Sequence, residues 1–153
     1  MKVAVYAIAL DERQHVERFL ASARDADLVV VADTGSRDGT VDALRAGGAV
    51  VHEISVRPWR FDDARNAALA LVPDDVDVCV PLDLDEVLGP GWRERLEREW
   101  GDATRGRYRY VWSHLEDGSP GVVFRSDRAH LRHGYRWEYP CHEVVRADRI
   151  EER

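Results

Sequence analysis

The chain has 153 residues, of which 44% are hydrophobic and 33% are charged, and its formal net charge is −7. This length and composition are typical of one soluble globular domain with a hydrophobic core of its own. The negative charge argues against a nucleic-acid-binding surface, which normally carries a basic patch.

Other features of the sequence exclude further classes of protein. No apolar run approaches the roughly 18 residues that a transmembrane helix needs. Neither Cys79 nor Cys141 lies in a CxxC motif, so neither a disulfide framework nor a structural zinc site is expected. The apolar N-terminus leads directly into charged residues and lacks a small-residue cleavage site. This pattern favours a first strand over a signal peptide and predicts a cytoplasmic protein.

Strand and helix patterns alternate through the first two thirds of the chain. Strands are predicted over residues 3–9, 27–32, 50–56 and 76–81, with helices over about 11–24, 41–45 and 62–71 between them. Asp11 is expected to cap the first helix, and Asp62 or Asp63 the third. This order predicts an α/β fold with a mainly parallel, Rossmann-like sheet and helices on both faces.

The last third of the chain changes character. A charged amphipathic helix is predicted over 92–100, followed by two antiparallel strands at 108–112 and 121–125. A segment rich in histidine, arginine and aromatic residues follows from 130 to 143, and the charged tail 146–153 is expected to fray. The fold should therefore carry a small antiparallel extension near its C-terminus.

The most informative stretch of the sequence is Leu82-Asp83-Leu84-Asp85-Glu86, which follows a predicted buried strand. Residues two apart point to the same side of a strand, so Asp83 and Asp85 can converge just past its carboxyl end, where open α/β sheets bind ligands. Two carboxylates there would repel each other unless a cation lay between them. Such hard oxygen ligands suit Mg²⁺ or Mn²⁺, which could hold a diphosphate. The alternative is that one aspartate caps the next helix and the other acids are solvated.

Two more loops at predicted strand ends carry polar groups, namely Ala9-Leu10-Asp11-Glu12 and Asp33-Thr34-Gly35-Ser36. In a parallel sheet these ends share one edge, so their coincidence is stronger evidence than any one loop. Asp33 could accept a hydrogen bond from a nucleobase or ribose, or it could form an Asx-turn while Asp38 caps the next helix. Arg65 could reach a base or phosphate from its helix, or it could form a surface salt bridge.

A third cluster is Cys141-His142-Glu143. Its histidine could supply a nitrogen ligand to a metal held by Asp85, and its glutamate could act as a general base or orient an acceptor. The alternative is an ordinary pair of residues at a strand end. A zinc site that also includes His130 and His133 is a further alternative, but the spacing matches no common zinc pattern.

Four segments, in this order, resemble the family 2 glycosyltransferases of the GT-A fold: 9–12, 29–40, 61–66 and 82–86. The resemblance covers roughly residues 3 to 145, and the ending His142-Glu143 is similar to a bacterial branch of that family. It implies a single GT-A domain over 1–153, with a nucleotide-binding half at about 1–88 and an acceptor-side half at about 89–145. The implied activity is inverting transfer from a nucleotide-diphosphate sugar, usually a UDP-sugar, with Mn²⁺ or Mg²⁺ as cofactor.

The resemblance implies roles for residues that would face the nucleotide. Asp33 would contact the base, usually uracil, and Arg65 would also face the nucleotide. Ala9 and Glu12, at the end of the first strand and after it, would lie near the same ligand. The sequence departs from the family here, because Leu10-Asp11 stand where relatives usually have Lys-Asn.

The resemblance also implies roles for the metal site and the acceptor side. Asp83 would touch the ribose or the metal, Asp85 would ligate the metal that bridges the diphosphate, and His142 would be a further ligand. For the base that takes the acceptor's proton, Glu143 is the first candidate and Glu86 the second.

Several alternatives are left open by the sequence. The chain is short for this fold, so it is a compact member, a fragment, or a protein whose partner supplies the acceptor site. The acceptor (a glycan, a lipid-linked sugar, a peptide or a small molecule) and a homo-oligomer are undetermined. Rival functions are a nucleotidyltransferase, an inactive nucleotide-sugar-binding module and a plain metal-binding domain. Trp112 is expected to pack the sheet extension, whereas Tyr135, Trp137 and Tyr139 could pack there or stack on a sugar.

Overall fold

The structure is a computed structural model that describes residues 1–148, so residues 149–153 of the predicted charged tail lie outside the described part. The strands are β1 (Val3–Ala9), β2 (Leu28–Asp33), β3 (Val50–Glu53), β4 (Val78–Pro81), β5 (Arg105–Val111), β6 (Val123–Leu131), β7 (Tyr135–Glu138) and β8 (Val144–Ala147). The helices are α1 (Val16–Ala23), which follows a 3₁₀ turn (Arg13–His15), α2 (Thr40–Ala46), α3 (Phe61–Ala70) and α4 (Trp92–Trp100).

Six strands form one sheet in the order β3-β2-β1-β4-β6-β5, and β7 and β8 form a separate two-stranded sheet. The first four strands of this order are parallel. Strand β6 runs antiparallel to β4, and β5 runs antiparallel to β6, which makes β5 and β6 a hairpin at the sheet's edge. The predicted α/β fold with a mainly parallel sheet and a small antiparallel extension is confirmed.

The hydrophobic core lies on both faces of the large sheet. Strand β1 is central, and its alternate residues point to opposite faces. Val5 packs with Phe19 of α1 and Leu44 of α2 on one face. Tyr6 packs with Ala68 of α3 on the other face. Burying a side chain such as Phe19 stabilises the fold by about 1.5–3 kcal/mol. This packing holds β1 and β4 in place, and with them the loops that follow these strands.

Several boundaries differ from the predictions, including the end of β3 at Glu53 and the start of β5 at Arg105, and the differences at α1 and α3 have a physical reason. Asp11 does not cap α1, because it adopts a left-handed backbone (φ 53°) and its carboxylate accepts a hydrogen bond from the Arg37 backbone N–H at 2.7 Å. Helix α3 begins at Phe61, so Asp62 and Asp63 lie inside its first turn, where their charge favours the helix dipole without capping. Strand β6 continues to Leu131 instead of ending at 125.

None of the helices between residues 1 and 148 has the length and the hydrophobicity that crossing a membrane requires.

A buried polar network joins the small sheet to the large one. The indole N–H of Trp137 donates to the Tyr6 hydroxyl at 2.7 Å, and that hydroxyl lies 3.0 Å from Nε2 of His130. Nδ1 of His130 lies 2.6 Å from the Leu131 carbonyl oxygen, so this nitrogen carries the proton and donates it in a hydrogen bond. Nε2 then accepts a hydrogen bond from the Tyr6 hydroxyl. Because every member has a partner, the network is compatible with full burial.

This network should make the protein lose stability in acid. Burial lowers the pKa of His130 from 6.5 to about 4. The unfolded chain therefore takes up a proton first, and stability present above pH 6.5 is lost as the pH falls toward 4. Between pH 7 and pH 5 the loss from this residue is about 2 kcal/mol. Urea unfolding at both pH values should show a smaller loss in His130→Gln, whose amide oxygen can still accept from Tyr6. Equal losses in the two proteins would contradict this role.

Candidate active site

The loops after β1 and β2 are bonded to each other at the carboxyl edge of the sheet. The Asp11 backbone N–H donates to the Ser36 hydroxyl at 2.8 Å, and the Glu12 backbone N–H donates to the Thr40 hydroxyl at 2.9 Å. The loop after β4 reaches the same edge, where the Asp85 carbonyl oxygen accepts a hydrogen bond from Arg18. The three polar loops thus share one edge, as parallel strands require.

Asp33 organises the loop that follows β2. Its buried carboxylate accepts hydrogen bonds from the backbone N–H groups of Gly35 at 3.0 Å and Ser36 at 2.9 Å, and from the Ser36 hydroxyl. Gly35 has φ 120°, a conformation that favours glycine. Asp38 accepts from the Thr40 backbone N–H at 3.0 Å, at the start of α2. The Asx-turn considered for Asp33 is therefore present, whereas the N-cap of α2 is Gly39 and Asp38 bonds to the helix from the position before the cap. Contact of Asp33 with a base stays a prediction.

Ala9 and Glu12 lie at the end of β1, where the structure places them beside several acids. The Ala9 carbonyl oxygen already accepts from the backbone N–H and the hydroxyl of Thr34, each at 2.9 Å. Burial raises the pKa of Glu12, and the nearby carboxylates of Asp85 and Asp83 raise it further, against the opposing effect of His15. The carboxylates of Asp83 and Asp85 therefore lie close enough to Glu12 to act on it electrostatically.

Arg65 joins two clusters that the sequence left separate. Its side chain is only 6% exposed and donates from Nη1 and Nη2 to the Asp83 carboxylate at 2.8 and 3.1 Å. Its Nε donates to Oε1 of Glu143 at 2.6 Å. Its guanidinium also lies 4.9 Å from the ring centroid of Trp137. Although burial alone would lower the pKa of Arg65, the two carboxylates raise it, so the arginine stays charged between them.

A second arginine, Arg128 of β6, holds the other acid of this site. It donates to Oε1 of Glu86 at 2.9 Å and lies 3.8 Å from Oδ2 of Asp83. The Tyr110 hydroxyl also donates to Oε1 of Glu86, and the Asp83 backbone N–H donates to Oε2 at 3.0 Å. Both Glu86 oxygens are therefore engaged. In contrast, Oε2 of Glu143 receives no hydrogen bond from any residue between 1 and 148.

Asp85 and His142 are both exposed, and His142 has a left-handed backbone with φ 56°. Across residues 1–148 no three histidine, cysteine, aspartate or glutamate side chains gather closely enough to hold a metal ion. The expected set of Asp83, Asp85 and His142 is therefore not preformed, and Asp83 is paired with Arg65. The zinc alternative is also wrong, because no such group of ligands forms within residues 1–148 and His130 belongs to the buried network.

The donors that are present nevertheless fit Mg²⁺ or Mn²⁺. Both ions prefer carboxylate oxygens, and Mg²⁺ is commonly held by one or two carboxylates together with substrate phosphates instead of a closed protein cage. The carboxylate of Asp85 accepts no hydrogen bond from the described residues 1–148 and faces solvent. It is thus free to bind an ion that arrives with a diphosphate.

A cleft of about 580 Å³ lies beside this cluster, between the β5–β6 hairpin and β8. Glu86, Arg128 and Glu143 line it together with aromatic residues of the hairpin. Trp112, which was expected to pack the sheet extension, is 67% exposed, so that expectation is wrong. Trp137, by comparison, is buried and packs.

Sequence reasoning missed Arg128 and Tyr110. Arg128 lies beyond the predicted end of its strand, within the run Arg125-Ser126-Asp127-Arg128, where polarity hides the strand pattern. The signal that could have revealed it is the return of apolar residues at Ala129 and Leu131, which extends the alternation of the strand.

The model of Glycosyl transferase family 2 matches residues 5–136 of the chain. The chain belongs to glycosyl transferase family 2. This match confirms the resemblance drawn from the four sequence segments. No curated protein matches the chain.

Solved structures resemble parts of this family 2 domain. M. tuberculosis glucosyl-3-phosphoglycerate synthase is 28% identical over 56% of this chain and 35% of that chain, with a TM-score of 0.49. The same enzyme in complex with Mn²⁺, UDP and glucosyl-3-phosphoglycerate is 29% identical over 54% of this chain and 33% of that chain, with a TM-score of 0.46.

S. aureus TarS has a TM-score of 0.60 with 18% identity, over 80% of this chain and 23% of that chain, and this likeness confirms the expected fold. The glycosyl transferase family 2 domain described here thus corresponds to about a third or less of the length of these solved chains.

Proposed function

We propose that this domain transfers a sugar from a nucleotide-diphosphate donor, a UDP-sugar, to an acceptor hydroxyl with inversion at the anomeric carbon. The observation that carries the proposal is the Arg65 cluster, which brings Asp83 and Glu143 together at the carboxyl edge, beside the free carboxylate of Asp85. Membership of glycosyl transferase family 2 supports sugar transfer over nucleotidyl transfer and over a plain metal-binding role.

The donor would occupy the edge formed by the loops after β1 and β2. The base would lie against the loop that Asp33 organises, near Ala9 and Glu12. Arg65 would hold Asp83 in the orientation that the ribose meets, because the bidentate pair fixes both carboxylate oxygens. The proposed contacts with the base and the ribose therefore all lie within the proposed nucleotide-binding half, about 1–88.

Mn²⁺ or Mg²⁺ is the proposed cofactor, held by Asp85 and Asp83, with His142 as a further ligand. When bound, the ion acts as a Lewis acid that stabilises the charge on the departing diphosphate. The carboxylates of Asp83 and Asp85, which lie near Glu12, support cation binding at this edge.

Glu143 is the proposed base. The acceptor hydroxyl oxygen would form a bond to the anomeric carbon while the bond between that carbon and the diphosphate oxygen breaks, and the diphosphate would leave with the electron pair. The hydroxyl proton would pass to Oε2 of Glu143, the oxygen that receives no hydrogen bond within residues 1–148. Glu86 is the weaker candidate, because both of its oxygens are occupied.

Nucleotide binding provides the test of this proposal. Calorimetric titration with UDP, GDP, TDP and CDP, each with and without Mn²⁺, should show binding of UDP that depends on Mn²⁺. Asp85→Asn should weaken this binding at least about tenfold, since a carboxylate that neutralises the ion is lost. Asp42→Asn, which changes an exposed acid of α2, is the matched control and should bind normally. Failure of all four nucleotides to bind would overturn the proposal.

A further inference from the structure

We infer that the cleft beside Glu143 accepts a neutral glycan and not a phosphorylated or carboxylated acceptor. This inference rests on the proposed transferase function and names the substrate class of its second site. The cleft has a volume of about 580 Å³, which is within the range of about 300–1,000 Å³ of small-molecule sites. Glu143 lines it, so an acceptor bound in it would lie beside the proposed base.

Aromatic rings form one wall of the cleft. Tyr110 of β5 and Phe124 of β6 lie opposite each other across the hairpin, with ring centroids 5.0 Å apart. Trp112 lies two residues beyond Tyr110 and lines the same cleft, and it is 67% exposed, while Phe124 is 48% exposed. Binding is favoured when the apolar face of a ligand covers aromatic surfaces that are this exposed. A sugar ring offers such a face in its C–H groups and keeps its hydroxyls at the edge.

Polar groups that match hydroxyls line the same cleft. Arg128 supplies N–H donors, and Oε2 of Glu143 supplies an acceptor. Hydroxyls that leave water need partners of both kinds, and the cleft provides both. The combination of an aromatic wall with these polar groups therefore suits a polyhydroxylated ligand.

The charges of the cleft argue against an anionic acceptor. Four arginines and three acids line it, so it has little excess positive charge. Three of these arginines have carboxylate partners: Arg105 with Asp127 at 3.1 Å, Arg128 with Glu86 at 2.9 Å, and Arg146 with Glu138 at 3.4 Å. Only Arg125 forms no ion pair within the described residues 1–148. Phosphate recognition normally uses several arginines that are free to donate bidentately, and this cleft offers one.

The test measures binding of defined probes to the full chain in the presence of UDP and Mn²⁺. The neutral probes are maltotriose, cellotriose, mannotriose and chitotriose, and the anionic probes are inorganic phosphate, glycerol 3-phosphate and glucose 6-phosphate. We expect at least one trisaccharide to bind, and Trp112→Ala and Phe124→Ala to weaken it about tenfold each. Trp59→Ala, which removes an aromatic side chain that is 46% exposed and does not line the cleft, should leave binding unchanged.

Three results would separate the possible failures. Binding of a phosphorylated probe that Arg125→Ala abolishes would overturn the neutral-glycan inference in favour of an anionic acceptor. Absence of trisaccharide binding while UDP and Mn²⁺ still bind would overturn the inference and leave the proposed function intact. Trisaccharide binding that depends on Trp112, without any nucleotide binding, would support the glycan site and overturn the transferase. Because Trp112 is exposed, its replacement should leave the urea midpoint of unfolding unchanged.

Discussion

Replacing Glu143 with glutamine is expected to lower the rate of sugar transfer by about 10²–10⁴-fold while UDP binding stays within about twofold. Glutamine keeps the length of the side chain, and its amide oxygen can still accept from Nε of Arg65. It cannot take a proton from the acceptor, so the loss should appear in kcat and not in the affinity for the donor. Initial rates of UDP release with an acceptor, together with calorimetry for UDP, measure the two effects separately.

Glu86→Gln is the matched control for this experiment. Both Glu86 oxygens accept hydrogen bonds, from Asp83 on one side and from Tyr110 and Arg128 on the other. Its replacement should therefore disturb the cluster, but the fold-decrease in kcat should be less than about a tenth of the decrease expected for Glu143→Gln. Full turnover of Glu143→Gln with an unchanged pH profile, or a larger loss in Glu86→Gln, would remove Glu143 as the base.

Arg65→Met is expected to lower the free energy of unfolding by about 3 kcal/mol, the lower end of the range for breaking a buried pair. The change removes the cation between Asp83 and Glu143 and leaves two carboxylates close together. Asp83 is 32% exposed on its side chain and keeps Arg128 at 3.8 Å, which moderates the loss. Urea unfolding of the wild-type and variant proteins gives the difference directly.

An exposed ion pair provides the comparison. Arg45→Met breaks a pair with Glu53 in which both side chains are at least half exposed, and it should cost less than about 1 kcal/mol. Arg65→Lys should fall between the two, because it keeps the charge and loses the bidentate fork. A loss in Arg65→Met no larger than in Arg45→Met would show that the buried cluster does not stabilise the fold.

The parallel half of the fold could be predicted because its strands are short apolar runs. Strand β1 begins and ends where the sequence predicts, at Val3 and Ala9, since buried residues on both faces leave a continuous hydrophobic signal. The cap assigned to Asp11 was wrong because its partner, the Arg37 backbone, is 26 residues away in the chain. Local patterns carry no record of such a contact.

The candidate site was only partly predictable for the same reason. Asp83 stood out as an acid after an apolar strand and Glu143 as part of a His-Glu pair, but nothing in their spacing joins them. Arg65 makes the connection, and it lies 18 residues from one and 78 from the other. Arg128 was missed because its polar strand resembles a solvated surface, and the register of β6 beside β4 shows where it lies.

The turn of the β5–β6 hairpin can change in length without disturbing the parallel part of the sheet. This turn, which joins Val111 to Val123, lies at the sheet's outer edge. Neither β1 nor β4 pairs with any residue of this turn. Loop tips of this kind tolerate insertions, and lengthening both arms by an even number of residues keeps every side chain on its original face. The segment that carries Trp112 can therefore change in length while the loops that follow β1, β2 and β4 stay as they are.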